Sequence, residues 1–356
     1  MIRNVTFENF RGFQQLELEN LSQITLLTGR NNAGKSSILE GIFLLMDHND
    51  VNAFGYINGF RGLVSYLTPS SMWEPSFYKL NTRTPMQIQM DVDGKLHSLQ
   101  YQRDDSYIPA EKSGATPNSF IQFAASGKAT YTLRYNFKIG EEYTEDGALS
   151  INESGSFRNL TTTLPNNQIR FLPLTQFINL TVNQDLLLAN MIAQMELSGI
   201  KERIVESLRI MEPGLSDVLT LSLNGHMQVY VKIRDRVLPI KLAGEGTNRL
   251  LMYLLSILTQ PNVILLIDEI DSGIHYSVMK KMWKLLASAA KETGCQIIAS
   301  THSYECIDYS VDGISEAEML DRFCLYRLDR KEDQVKAVHY PGELVKEAVA
   351  ASMEVR

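Results

Sequence analysis

The 356-residue sequence predicts an α/β fold with an antiparallel β lobe, on three observations. Ile24 to Thr28 is a short apolar run leading into a glycine-bearing loop, and Ser36 to Leu45 follows with apolar residues at helical spacing. Alternation of strand and helix returns between Thr247 and Ser300. Between these two blocks, Met86 to Ile151 carries only strand signals, which places a β segment beside a layered α/β core.

Taken in order, Ile2 to Phe10 and Gln15 to Glu19 read as paired strands turning at Arg11-Gly12. Asn49 to about Arg83 has no clear period, with Gly, Asn, Pro and aromatics interleaved. Met86 to Val92 and Lys95 to Gln102 flank Asp93-Gly94, a dipeptide suited to the left-handed angles of a tight hairpin, and Ala129 to Ile139 is a further strand. Asp104 to Asn118 is polar and reads as a loop. Ile169 to Pro173 is expected as a strand, and Asn183 to Met211 as one or two helices broken near Ser198-Gly199. Leu219 to Leu223 and Met227 to Lys232 suggest a hairpin over Asn224-Gly225. Thr247 to Leu258 is helical, Val263 to Ile267 a strand, His275 to Lys291 helical and Gln296 to Ser300 a strand. A hairpin of Phe323 to Leu328 with Gln334 to His339 and a helix from Glu343 to Met353 close the chain. The expected division is a nucleotide lobe of residues 1–50 plus 250–340, an inserted β lobe at 84–172 and a helical subdomain at 180–248.

Composition bounds the function. Hydrophobic residues make up 44% and charged residues 21%, an ordinary balance for a packed globular chain. A net charge of −7 gives no general attraction for a polyanion, so nucleic acid would need a local basic patch. Three cysteines without C-x-x-C spacing point to reduced thiols and a cytoplasmic protein, not to a disulfide framework or zinc site. The N-terminus lacks the apolar stretch of a secretory signal. The most apolar helical stretch, Leu250 to Leu258, falls far short of the roughly 20 residues that cross a bilayer.

Gly29-Arg30-Asn31-Asn32-Ala33-Gly34-Lys35-Ser36 matches G-x-x-x-x-G-K-[ST]. Phosphate oxygens need many donors at close range, and glycines let backbone N–H groups supply them at the positive end of a helix. Lys35 is the expected β- and γ-phosphate contact, Ser36 a magnesium ligand and Ser37 its neighbour. Asp268 and Glu269 end an apolar strand; the first suits magnesium, and the second, facing differently, suits a general base for the attacking water. Together these predict hydrolysis of a nucleoside triphosphate with Mg2+.

The order of the remaining motifs narrows this. Leu242-Ala243-Gly244-Glu245-Gly246-Thr247 opens a helix upstream of the carboxylates, Asp271-Ser272-Gly273-Ile274-His275 follows them, and Thr301-His302-Ser303 ends a later strand. With the opening Ile2-Arg3-Asn4-Val5-Thr6-Phe7-Glu8-Asn9-Phe10-Arg11-Gly12-Phe13, this set resembles the ABC-type ATPase heads of the RecF, SMC and OLD-nuclease group over about residues 1–46 and 240–310. The resemblance implies a mixed central sheet and a head-to-head homodimer that sandwiches two ATP molecules. Gly244, Glu245, Gly246 and Thr247 would be the signature turn that closes the partner's nucleotide. His302 matches the histidine that contacts the γ-phosphate, Asp271 the residue that communicates across the dimer, and Arg11 an arginine that contacts nucleotide phosphates, with a turn arginine in solvent as the alternative reading of Arg11. His275 is expected to begin a helix.

Two departures stand out. Ala243 replaces the usual signature serine, leaving Thr247 or backbone groups as donors. The glutamine near magnesium is Gln176 or, as second choice, Gln122. Lys280, Lys281 and Lys284 share a helical stretch and read as a solvated face or a contact for an acidic partner, and Phe60, Trp73, Phe77 and Tyr78 as an interaction surface or a cover for the β lobe. The chain has neither the long coiled coil of SMC proteins nor room for the Toprim domain of OLD nucleases after His302. The expectation is therefore a compact head that gates a separate effector, a nuclease or toxin, and the resemblance implies a place in bacterial anti-phage defence. The alternatives are a RecF-like DNA-binding repair clamp and a nucleotide-dependent scaffold with negligible turnover.

Overall fold

The computed structural model describes residues 1–50, 52–63, 67–104, 130–152, 157–161, 172–178, 185–223 and 226–354. Strands β1 (Ile2–Phe10) and β2 (Phe13–Leu18) form the opening hairpin. Strand β3 (Ile24–Gly29) then feeds helix α1 (Lys35–Met46), followed by helix α2 (Asn52–Phe60). Strands β4 (Met86–Val92), β5 (Lys95–Arg103), β6 (Thr130–Ile139), β7 (Tyr143–Asn152) and β8 (Phe157–Thr161) are antiparallel neighbours. Next come β9 (Thr175–Ile178), helices α3 (Asp185–Ser198) and α4 (Lys201–Leu208), and the three-stranded sheet β10 (Leu215–Leu223), β11 (His226–Ile233) and β12 (Arg236–Pro239). The chain ends with α5 (Glu245–Thr259), β13 (Ile264–Ile267), α6 (Tyr276–Thr293), β14 (Gln296–Ser300), α7 (Tyr304–Glu316), β15 (Phe323–Lys331), β16 (Gln334–Pro341) and α8 (Gly342–Ala350).

The central sheet runs β16-β15-β3-β14-β13-β9; all pairings are parallel except β15 with β16. Its inner strands β3, β14 and β13 are buried throughout, so they carry near-continuous apolar runs rather than alternating ones. Leu265 and Ile267 of β13 join the core under the helices that follow β9, while Ile264 and Leu266 join the core with α1 and the β lobe. This is the mixed α/β architecture the sequence predicts.

The β lobe is one seven-stranded sheet, β2-β1-β4-β5-β6-β7-β8, so the expected insert grows directly from the opening hairpin through β1 and β4. Asp93 (φ 52°) and Gly94 (φ 81°) make the predicted turn. The break between α3 and α4 also falls where expected. Helices α2 and α7 and strands β8, β9 and β12 were not expected, and Leu172 and Pro173, the described end of the strand anticipated at Ile169 to Pro173, precede β9 without joining a strand. Residues 169–171, most of the loop expected from Asp104, Asn224-Gly225 and Gln122 lie outside the described residues. Trp73 and Phe77 are buried in the lobe core, which settles those aromatics as cover. No helix among the described residues is long and apolar enough to cross a membrane, and the three cysteines are free and buried.

Candidate functional site

Strands β3, β13 and β14 point their carboxyl ends at one edge of the sheet, where open α/β sheets bind ligands. Register puts Ser300 opposite Leu27 and Ala299 opposite Ile267, so the glycine loop, the carboxylates and His302 leave the sheet side by side. Gly34 has φ 107°, and a Cβ there would lie 2.5 Å from the buried Phe13 ring, so only glycine lets the loop lie this close to the β1–β2 turn. Lys35 Nζ donates to the carbonyls of Gly29 (2.7 Å) and Arg30 (3.2 Å). Burial lowers the Lys35 pKa, against the opposing pull of Asp268, Glu269 and Asp271.

Ser36 Oγ donates to Asp268 Oδ1 at 3.1 Å, and Ser300 Oγ donates to the same oxygen at 2.5 Å. Glu269 is exposed and held at φ 50°, its N–H donating to Ser300 Oγ (2.9 Å). The two carboxylates thus leave the strand in different settings. Asp271 accepts from Thr301 Oγ1 at 2.6 Å, tying the segment after the carboxylates to the end of β14. His302 is exposed one residue on. A cleft of about 910 Å3 joins Asn31, Asn32 and Gly34 to Ser37 with Asp268, Glu269 and His302. Ala33 turns into the core instead.

Arg11 borders this cleft, but its guanidinium is buried. Nη1 donates to Pro75 O (2.9 Å), and Nε lies 2.9 Å from Glu40 Oε2 without aiming its N–H at that oxygen, a coulombic contact rather than a hydrogen bond. Burial lowers its pKa to about 10 although Glu40 stabilises the charge. The phosphate-contacting role expected of Arg11 is not what this geometry presents; Arg11 braces α1. Arg61, just past α2, occupies the more open position, donating to Glu40 Oε1 (2.7 Å) and Ser37 Oγ (3.0 Å) on the cleft wall. Arg330 reaches over from β15 and donates to Asn32 O (3.0 Å). Sequence reasoning missed Glu40, Arg61 and Arg330. A glutamate amid the apolar positions of α1 was the available signal, because a buried carboxylate requires cationic partners.

The signature residues stand outside this cleft. Gly244 (φ 113°) is the N-cap of α5, and Gly244 and Glu245 are exposed. Gly246 packs on the loop after the carboxylates: its Cβ position is 2.9 Å from Gly273 O. Thr247 is 4% exposed, so its hydroxyl is not offered at the surface and the backbone of the turn is left as the donor set. Gln176 is a correction. It lies in β9 opposite Leu265, short of the carboxyl edge, and its amide donates to Gln260 at 2.7 Å, so it is not brought to Ser36 and Asp268. His275 caps α6, accepting from Ser277 N. Lys280 and Lys284 pair with Asp312 and Glu316 of α7, a solvated face.

Ser36 Oγ and Asp268 Oδ1 are hard oxygen donors whose chemistry fits a magnesium ion that keeps water and phosphate oxygens as its other ligands. No group of three or more His, Cys, Asp or Glu among the described residues is arranged to hold a metal ion.

Two family models match the chain: one described as "AAA ATPase domain" over residues 1–160, and one described as "AAA domain, putative AbiEii toxin, Type IV TA system" over residues 200–308. An ATP/GTP phosphatase of Helicobacter pylori is 22% identical over 359 aligned residues, covering 96% of each protein. The DNA replication and repair protein RecF of Pediococcus pentosaceus is 29% identical over 110 residues, 30% of this chain and 28% of RecF. Among solved structures, an SMC head domain with an extended coiled coil from Pyrococcus furiosus, bound to the C-terminal domain of ScpA, superposes with a TM-score of 0.52 at 10% identity, covering 99% of both chains.

Proposed function

We propose that this chain, an ATP-hydrolysing head of the AAA/ABC type resembling SMC and RecF heads, closes as a homodimer around two ATP molecules and thereby gates a separate effector. The observation that carries the dimer is the separation of motifs. The cleft gathers Lys35, Ser36, Asp268, Glu269 and His302, whereas Gly244 and Glu245 lie exposed outside it beside Leu242, itself 74% exposed. An exposed helix start with positive dipole and unused N–H groups suits a second subunit's γ-phosphate.

In this reading the loop amides and Lys35 hold the β- and γ-phosphates. Ser36 and Asp268 hold Mg2+, which offsets phosphate charge when bound. Glu269 orients the attacking water and takes its proton, and His302 donates to the γ-phosphate. Glu269→Gln, given ATP and Mg2+, is expected to accumulate as a nucleotide-bound dimer in light scattering; a persistent monomer at saturating ATP overturns the dimer.

The toxin-system description of the second family model supports an effector of the toxin kind; a nuclease effector and a place in anti-phage defence are part of the proposal and rest on the resemblance. Affinity purification from the native host with mass spectrometry tests it, and recovery of no partner protein counts against it. The RecF match supports a second reading, a DNA clamp, which predicts ATP-strengthened, steeply salt-dependent binding of duplex DNA. The name of the Helicobacter relative extends the proposed substrates to GTP, checked by comparing turnover of the two nucleotides.

A further inference from the structure

One buried side chain links the exposed signature turn to the general base of the same subunit. Arg249 sits on α5 one turn beyond Glu245, with only 8% of its side chain exposed. Its Nε and Nη2 donate to Glu245 Oε1 at 3.1 and 2.9 Å, and its Nη1 donates to the main-chain carbonyl of Glu269 at 3.0 Å. Glu269 holds φ 50°, a conformation that a non-glycine residue keeps only when its surroundings enforce it. Here the enforcement acts on both sides of the residue: Ser300 Oγ takes the N–H, and Arg249 takes the carbonyl. Glu245 is itself seated on the segment after Glu269, since a Cβ on Gly273 would lie 2.7 Å from its Cδ.

We propose that Arg249 is a positioning residue for hydrolysis within its own subunit: anchored on Glu245, it fixes the backbone of Glu269 so that the carboxylate faces the attacking water. The inference rests on the reading of Glu269 as general base. A guanidinium is needed because its rigid fork spans a carboxylate and a carbonyl together, which the single ammonium of lysine does not do in fixed geometry. Arg249→Lys therefore keeps the charge and loses the function. The competing role for Arg249, shaping the signature turn for the other subunit's nucleotide, predicts loss in the opposite subunit.

The test uses the full chain. Arg249→Lys is expected to bind ATP with unchanged affinity by calorimetry while kcat falls about a hundredfold, the cost of a misplaced reacting group, and Glu245→Gln, which removes the anchor of Arg249, is expected to lower kcat to a similar extent. Glu245 is exposed, so its substitution keeps the experiment informative if the Arg249 variant melts early. Differentially tagged subunits then separate cis from trans. A wild-type subunit paired with an Arg249→Lys/Glu269→Gln subunit should retain its own site's rate, and an Arg249→Lys subunit paired with Glu269→Gln should show the same roughly hundredfold loss. Loss in the first pair, equal loss in both, or full activity of Arg249→Lys overturns the proposal. If instead Glu269→Gln alone keeps wild-type turnover, it is the general-base reading that fails.

Discussion

Glu40→Gln tests whether the floor of the site is held by a buried ion cluster. Glu40 is 1% exposed on α1. Arg61 bonds both its oxygens, at 2.7 and 3.1 Å, and Arg11 Nε lies 2.9 Å from Oε2. The amide removes the only carboxylate beside the Arg11 guanidinium among the described residues, leaving the neutral acceptors Pro75 O and, more distantly, Asn58 Oδ1 and Ile57 O. Removing one partner of a buried pair costs about 3–5 kcal/mol. Arg61 adds little, because its side chain is 38% exposed and stays solvated, so its share is under about 1 kcal/mol. A loss of this size is a large part of the roughly 5–15 kcal/mol that stabilises a typical domain. Urea unfolding followed by circular dichroism should show a lower midpoint with unchanged slope. The double variant Arg11→Met/Glu40→Leu should recover much of the loss, since an apolar pair leaves no stranded charge. A Glu40→Gln midpoint equal to wild type, or simple additivity of the two sites, would refute the reasoning.

Other outcomes follow from the same geometry. Gly34→Ala sets a methyl against the Phe13 ring at φ 107°; it should abolish calorimetric heat of ATP binding while the far-ultraviolet spectrum stays native. His302→Ala should lower kcat by about a hundredfold, the size of a lost charge-stabilising donor, with KM little changed in steady-state assays. Lys284 and Lys280 draw the Glu316 carboxyl down to about 2. A depressed acid stabilises the fold above its unfolded pKa and loses that effect as pH falls through its folded pKa. The difference in urea midpoint between wild type and Glu316→Gln should therefore be full above about pH 4.5 and vanish toward pH 2.

The readable parts of the fold were those where local chemistry and tertiary demand agree. The phosphate loop, the Asp93-Gly94 turn and the apolar β13 state their roles in a few adjacent residues. Helix α7 did not, partly because Gly313 reads as a helix breaker. Its Cβ would lie 2.5 Å from Lys280 O, so the glycine exists to let α7 press against α6, a need set entirely by a distant segment. Helix α2 hid for a related reason: two glycines and two asparagines weaken its propensity, and burial of Phe54 and Ile57 overrides that. At the site, the motif residues of the cleft were legible one by one. The arginines were not, because a motif names a residue and not its partner: Arg11 turned inward to Glu40, and Arg61 came from a stretch with no period.

The shared sheet has a consequence for how far this architecture can be trimmed or grafted. Val5 to Glu8 pair with Met90 to Gln87, and the same strand carries Phe7 and Phe10 under α1 before turning into Arg11 and Phe13. Excising the lobe at residue 84 would strip one side of that strand of its main-chain partners and uncover the aromatic wedge beneath the phosphate loop. Any viable shortening has to leave β4 behind; the exchangeable portion begins only beyond it, toward the β8 rim.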